Sequence, residues 1–531
     1  MTISDMRTRP TILFVIAMSV IGAVMLAAPA ETVTTKYVND LFVFLDGAWR
    51  IAQGQIPNRD FHSAMGPMVY VIPAVGYWLS GSMGAAMPWG MSLFILALSP
   101  VMAWTLASRL RPAIAAPFAL YLILVLAAPA NFGESVAELS FAMFYNRIGW
   151  VGLGLLLVYY LPPLQASRRQ RLLDVICATL LITLLAYTKI TYAAFAAAFV
   201  AFLFVASPRR WDAFVIGCAV LLVCAGVEAV WRGSASHVAD LLEAARVSGN
   251  VSDVERYLSI LMLNLADLTA YGVFAALIIW RTGRLRDLFF LAFCAGAGFL
   301  LIVQNFQHRG LVTLAAGAVV AAELVARRDR DKAEWRPGAL VGGVHLLLLG
   351  FLLPTIVHTF GTLATHTTLA LTKRGEPAPL PGFSGIRLAT VGPKDHQAGF
   401  RLYFQNLHDG AEALRVLGAD AQRTLVLDFV NPFSAGLGLR PPLGDNTWHH
   451  WGRTINEASF PPAERLFNDV HAVLVPKRPI EFWTSDGMRR LYAAYLAEHF
   501  IYMGETSDWR LYLARPPQTL DASARSPSDG G

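Results

Sequence analysis

The stretch from Asn39 to Phe61, NDLFVFLDGAWRIAQGQIPNRDF, places three carboxylates, Asp40, Asp46 and Asp60, shortly after an apolar run. A carboxylate at a bilayer boundary can take the proton of an incoming hydroxyl, or bind a cation, while a lipid-borne reactant stays in the membrane. Solvated interfacial charge is the plainer alternative for each of them. Further along, Lys189 in AYTKITY, Arg147 in FYNRIG and His308/Arg309 in QNFQHRG are cationic groups set in apolar sequence. Lipid makes such charge costly, so each is either functional or a span-end cation that snorkels to water. The segment DNTWHHWGR, Asp445 to Arg453, flanks two histidines with two tryptophans. The faces of Trp448 and Trp451 suit a sugar ring, and equally suit a core or a membrane interface. His449 and His450 are adjacent, with no second ligand pair at metal spacing, so no metal site is expected there. Glu134 and Glu138, four apart, would share a helical face and could supplement the carboxylate loop; solvated loop acids are the blander alternative.

Within the carboxylate loop, Leu41, Phe44, Leu45, Ala48 and Ala52 fall on one helical face and Asp46, Arg50 and Gln53 on another. That is the pattern of a helix lying along a membrane surface. The whole chain of 531 residues is 55% apolar and only 15% charged, with a mean hydropathy of +0.48. This excludes a water-soluble globular enzyme. Apolar windows begin near Thr11, Gly66, Pro88, Ala113, Gly149, Leu172, Thr191, Phe214, Ser259, Leu288, Gly310 and Ala339. They predict an all-α polytopic membrane region of about 11 to 13 transmembrane helices. Arg7 and Arg9 before the first window outline a signal segment, though its length favours an uncleaved anchor. Cys177, Cys218, Cys224 and Cys294 all lie in apolar segments and form no disulfide or zinc pattern.

The net charge of +6 comes from Arg/Lys clusters between apolar runs. Topology explains it better than nucleic acid does. Placing Arg7/Arg9, Arg168 to Arg171, Arg209/Arg210, Arg281 to Arg286 and Arg327 to Lys332 in the cytoplasm puts Lys189, His237 to Arg256 and Gln304 to Arg309 outside. The same rule puts everything after Leu371 outside. One count does not close: an outside loop at 31–65 and cytoplasmic Arg109/Arg111 need an odd number of crossings, yet two apolar windows lie between them. A re-entrant Gly66 to Ser80, an exception at Arg109/Arg111, or a dip at Asn131 to Arg147 would each repair it. After Leu371, strand-like patches at Thr424 to Val430, Ala472 to Val475 and Arg510 to Ala514 alternate with helical patterns such as Met488 to His499. The expected organisation is a membrane domain over 1–371 with its catalytic loop at 31–65, a small α/β extracytoplasmic domain over 372–515, and a disordered tail over 516–531.

Asp40, then Gly54, Pro57 and Asp60 in a Gly-x-x-Pro-x-x-Asp turn, then Gly66-Pro67, resembles the C-class of integral-membrane glycosyltransferases. The resemblance covers roughly Thr11 to Pro354; Leu41 departs from it, standing where many members carry a second acid. It implies a bacterial inner-membrane enzyme that moves a sugar, with inversion, from a polyprenyl-phosphate donor to a lipid, glycan or protein acceptor on the outer face. Asp40 is then the acceptor-activating base, with Asp46 as a second candidate. Lys189, Arg147, His308 and Arg309 become candidates for the donor phosphate, and Asp60, Trp448 and Trp451 for the acceptor. A divalent cation is compatible with such a site but not required by it. A lipid-linked glycan ligase or polymerase, a transporter and a non-catalytic envelope-assembly protein are the competing classes.

Overall fold

The computed structural model describes residues 3–206, 210–248, 254–305, 307, 309–330, 338–392 and 398–516. His308 and nearly all of the 516–531 tail lie outside the described residues. The membrane region consists of α1 (Ile3–Ala27), α2 (Val38–Ala52), α3 (Met68–Ser80), α4 (Met83–Arg109), α5 (Pro112–Ala127), α6 (Phe144–Leu157), α7 (Arg168–Thr188), α8 (Ile190–Ala206), α9 (Arg210–Trp231), α10 (Ser234–Ser248), α11 (Val254–Leu263), α12 (Leu265–Thr282), α13 (Leu285–Gln304), α14 (Val312–Arg330) and α15 (Gly338–Leu371). Among the described residues, seven helices are long and apolar enough to cross a membrane: α1, α4, α7, α9, α12, α13 and α15. The chain is a multi-pass membrane protein.

That count is below the 11 to 13 windows read from the sequence, for three helices because of length, while α14 is long enough but ends in the charged run Arg327–Arg330. Helices α3, α5 and α8 are apolar but only 13, 16 and 17 residues long. At 1.5 Å per residue they rise about 20 to 26 Å, short of the roughly 30 Å hydrocarbon core. Most of α5 is buried inside the bundle, so little of it has to match the thickness of the lipid.

Helix α3 also resolves the parity problem. Just before it, the Gly66 amide donates to Thr188 O at the end of α7 (3.1 Å). Just after it, α4 starts beside the chain that preceded the loop: Thr32 Oγ1 donates to Gly84 O (2.6 Å). Both ends of α3 therefore lie on one side of the bundle, and it runs antiparallel to the first turns of α4. The approach is so close that a Cβ on Gly76 would stand 2.0 Å from Ala86 O. Only α4 crosses between the first loop and Arg109. Arg109 and Arg111 then join the other basic groups at one end of the bundle. Arg109 pairs with Asp174 (2.7 Å), Arg111 Nη2 donates to Ala326 O (2.6 Å), Arg327 Nη2 to Arg109 O (2.5 Å) and Arg286 Nε to the Tyr160 hydroxyl (3.1 Å).

The opposite end carries the first loop and the C-terminal part. Strand β1 (Thr32–Thr34) pairs in parallel with β3 (Ile386–Leu388), which pairs antiparallel with β2 (Glu376–Pro377). A second sheet has the order β4 (Thr424–Val426), β5 (Ala472–Pro476), β7 (Trp509–Ala514), β6 (Phe500–Glu505), with β4 and β5 parallel and the remaining pairs antiparallel. Helices α16 (Ala398–Leu417), α17 (Phe433–Leu437), α18 (Ala463–Leu466) and α19 (Phe482–His499) complete this small α/β part. Its own core gathers Leu425, Val473, Val475, Met488 and Tyr492.

Helix α2 is where the two parts meet. Its amphipathic pattern suggests a polar face in water, but Asp46 and Arg50 are buried with its apolar residues. Phe42 stacks on Phe383 (4.6 Å), while Phe44 meets Phe144 of α6 edge-on (4.9 Å). The helix is an interface element between bundle and small domain, its polar face covered by protein rather than by water.

Candidate functional site

Asp40 lies in the first turn of α2. The turn is set by Tyr37, held at φ 56° before it. The strand β1 upstream is latched to the irregular 131–143 segment: Thr35 N donates to Leu139 O (2.9 Å), and Lys36 Nζ reaches Glu134 (3.2 Å) and Glu138 (3.4 Å). The two glutamates thus converge on one cation from a loop, not from the helix their spacing suggested. Gly133 at φ +88° is incompatible with a helix there.

Half-buried, Asp40 faces Arg453 and Glu481 of the small domain together with Glu134 and the Tyr145 ring of α6. Burial raises its pKa, Arg453 pulls it back, Glu481 and Glu134 push it up again, and the carboxyl comes to rest at about 7. Lys189 occupies the single-residue break between α7 and α8. Its ammonium donates to Asn305 Oδ1 and lies 3.5 Å from Asn146 Oδ1, with the Tyr145 ring centroid 5.2 Å away. The Asn305 amide is itself oriented by its bond to the Tyr192 hydroxyl (3.1 Å). Among the described residues its hydrogen-bond partners are neutral amides, and the charged group acting on it is another cation, Arg453. Asp40, Lys189 and Arg453 are therefore grouped about Tyr145, where the first loop, α6, the α7–α8 break and the small domain come together.

No family model matches the sequence. No curated protein matches it. Among solved structures, the chain is similar to the crystal structure of the Archaeoglobus fulgidus oligosaccharyltransferase in complex with Zn and sulfate, at 12% identity and a TM-score of 0.37, over 87% of this chain and 67% of that one.

The remaining sequence candidates lie elsewhere. Asp46 is closed off from solvent, its carboxylate bonded to Arg50 Nε (2.7 Å). Arg50 continues to Asp445 (2.8 Å) and Pro442 O (2.7 Å), and Asp445 meets His449 Nε2 (3.2 Å). Burial alone would raise the pKa of Asp445, but Arg50 and His449 outweigh it and hold the group below the usual carboxylate range. This network clamps α2 to the DNTWHHWGR segment. Asp60 shapes the turn, accepting the Ile56 amide (2.8 Å), and Gly66 is required because a Cβ would meet Tyr187 O at 2.1 Å.

Arg147 is 2% exposed. Its guanidinium lies 5.8 Å from the Phe141 ring with no hydrogen-bond partner among the described residues. Arg309 is exposed, beside Gly133. Trp451 packs into the small domain, its ring so close to Gly487 that a Cβ there would stand 2.1 Å from it. Trp448 lines an open notch with His62 and Asp240. Among the described residues no three His, Cys, Asp or Glu side chains gather to hold a metal ion. Sequence reasoning gave no role to Arg453, Tyr145 and Glu481, although the first two lie within motifs already singled out, DNTWHHWGR and FYNRIG.

Proposed function

We propose that the protein is a membrane glycosyltransferase that moves a sugar from a polyprenyl-phosphate donor to a lipid, glycan or protein acceptor at the outer face of the membrane. The observation that carries this reading is the grouping of Asp40, Lys189 and Arg453 about Tyr145 at the bundle–domain junction. Asp40 takes the proton of the acceptor hydroxyl as its oxygen attacks the anomeric carbon from the face opposite the phosphate. The carbon–oxygen bond to the phosphate breaks, and the electron pair leaves on the phosphate oxygen. A base is most effective with a pKa near the working pH, which supports Asp40 at about 7. Negative charge growing on the leaving phosphate calls for fixed cations in a site of low dielectric. Lys189, whose partners among the described residues are amide oxygens, and Arg453, which acts on it electrostatically, suit that demand. Asp46 and Asp60 in this reading hold the loop in place.

The test is transfer by the purified protein from a panel of radiolabelled polyprenyl-phosphate sugars to a membrane-extract acceptor. Asp40→Asn should abolish transfer with the protein folded and inserted, a loss of about 100- to 10,000-fold for a general base. If Asp40→Asn transfers at the wild-type rate, or no polyprenyl-phosphate sugar is consumed, the reading is wrong.

A further inference from the structure

Helix α19 begins with two large aromatic side chains that the small domain does not cover. Phe482 is 60% exposed and Trp483 67%, and their rings meet edge-on at 78° with centroids 5.3 Å apart. The packing of the helix turns them outward: Thr484, Ser485, Met488 and Tyr492 are its buried residues, and Thr484 Oγ1 accepts the Trp451 amide (3.0 Å). Beyond the first turn the outward face is polar. Arg489 pairs with Asp486 (2.8 Å), Arg490 pairs with the same carboxylate, and Glu498 is exposed near the last turn. Large exposed apolar side chains on this helix are therefore confined to its first turn.

That turn lies at the bundle side of the domain. Through Trp451 it is joined to the DNTWHHWGR segment, whose Thr447 Oγ1 lies 2.7 Å from the Tyr70 hydroxyl of α3. Glu481, the residue before Phe482, acts electrostatically on Asp40 and Arg453. Arg453 acts in turn on Lys189, which caps the end of the spanning helix α7. The aromatic pair thus belongs to the level at which the spans end, and at the same end of the bundle α3 closes on Trp78 (58% exposed) and Leu79 (57%). Aromatic rings at such a level match the boundary between lipid head groups and acyl chains, where an indole keeps its N–H in the polar layer and its rings in the apolar one. A sugar platform would need a flat face with free polar groups beside it, whereas these rings are perpendicular and the adjoining Thr484 and Ser485 are buried. A second copy of the chain fits poorly too: two aromatic side chains bring at most about 150 to 250 Å² each, short of the roughly 800 Å² per partner in a stable interface. We propose that Phe482 and Trp483 insert into the membrane leaflet on the small-domain side and seat the domain on the bilayer. Such a seat holds Glu481 and Arg453 at a fixed height over the lipid, whatever reaction the protein carries out.

Photo-crosslinking of the full chain in nanodiscs of phosphatidylethanolamine and phosphatidylglycerol tests the proposal. The photoreactive residue p-benzoyl-phenylalanine, itself aromatic, replaces Phe482 or, separately, Trp483, so that one disturbed variant leaves the other to decide. The same residue in place of Leu221, 72% exposed on the spanning helix α9, is the lipid-facing control. In place of Glu498, about 22 Å further along α19 than Trp483, it is the control expected in water. After irradiation, mass spectrometry should find phospholipid adducts at 482 or 483 in yields approaching that at 221, and none at 498. No lipid adduct at 482 or 483 while 221 gives one, or equal adducts at 498, would overturn the proposal. Adducts only to a second copy of the chain, or only to methyl glucoside supplied in the buffer, would assign the pair to another occupant and overturn it as well. A protein that transfers no sugar can still give the lipid adducts, so the seat and the transfer reading fail separately.

Discussion

Replacing Arg453 with Gln should move the pH dependence of transfer to higher pH. In the folded protein Asp40 titrates at about 7, a balance of burial upward, Arg453 downward, and Glu481 and Glu134 upward. As a base it works only when ionised, so kcat/KM climbs as pH rises through that value. An opposite charge at close range lowers a carboxyl pKa by about one to three units, and removing Arg453 should raise the midpoint by a similar amount. At pH 7 the ionised share would then drop from about half to about a tenth or less, a rate loss of at least about fivefold, recovered on going to higher pH. Glu481→Gln should do the reverse and extend activity to lower pH. Stability runs opposite to activity: with the folded-state pKa raised, the protein loses stability as pH climbs from the usual carboxylate range to about 7, and Asp40→Asn removes that dependence. The assay is kcat/KM against pH with one labelled donor. A uniform loss at all pH values, with the midpoint unmoved in both variants, would refute the tuning of Asp40 and leave Arg453 a role only at the phosphate.

Lys189→Met should weaken donor use by about 1 to 3 kcal/mol, the range for charge-assisted hydrogen bonds, with Lys189→Arg recovering part; an unchanged donor KM and kcat would remove Lys189 from the site. Arg147→Met, by contrast, should leave the donor KM alone, because that guanidinium lies against the Phe141 ring; a raised donor KM would return it to the phosphate site. Arg50→Met leaves Asp46 and Asp445 buried without their cation and should cost about 3 to 5 kcal/mol of stability, read as a lowered unfolding temperature in detergent; a shift under about 1 kcal/mol would show the clamp to be dispensable. A reporter active only in the cytoplasm, fused after Arg515, should stay dark, and a bright fusion would reverse the orientation.

The parts of this arrangement that sequence could reveal are the local ones. Asp40 and the Gly54–Asp60 turn stand out through the family resemblance, and Lys189 by its charge between two apolar runs. The strands Thr424–Val426, Ala472–Pro476 and Trp509–Ala514 lie within or on their β-branched and aromatic patches. Helix α2 misleads because an amphipathic pattern looks the same whether its polar face meets water or, as here, Asp445 and Pro442. Partners supplied from distant sequence were not readable at all. Arg453 reaches Asp40 across most of the chain, and Asp240 lies in a helix whose composition gives no hint of His62. The TVT of β1 is too short to be told from a span end, and the crossing count failed at α3 because hydropathy registers composition and not which way a segment turns.

The parallel pairing of Thr32–Thr34 with Ile386–Leu388 ties the start of the chain to a point roughly 350 residues later. At a synthesis rate of about 5 to 20 residues per second, the first loop waits some 20 to 70 seconds for the strand that completes its sheet, and longer for Asp445, which takes up Arg50. Until then the nascent chain can thread its helices into the bilayer, but the cleft around Asp40 is missing one wall. On the proposed reading a half-made chain could not yet act on lipid-borne reactants, and a fragment ending before the small domain should insert but be inert.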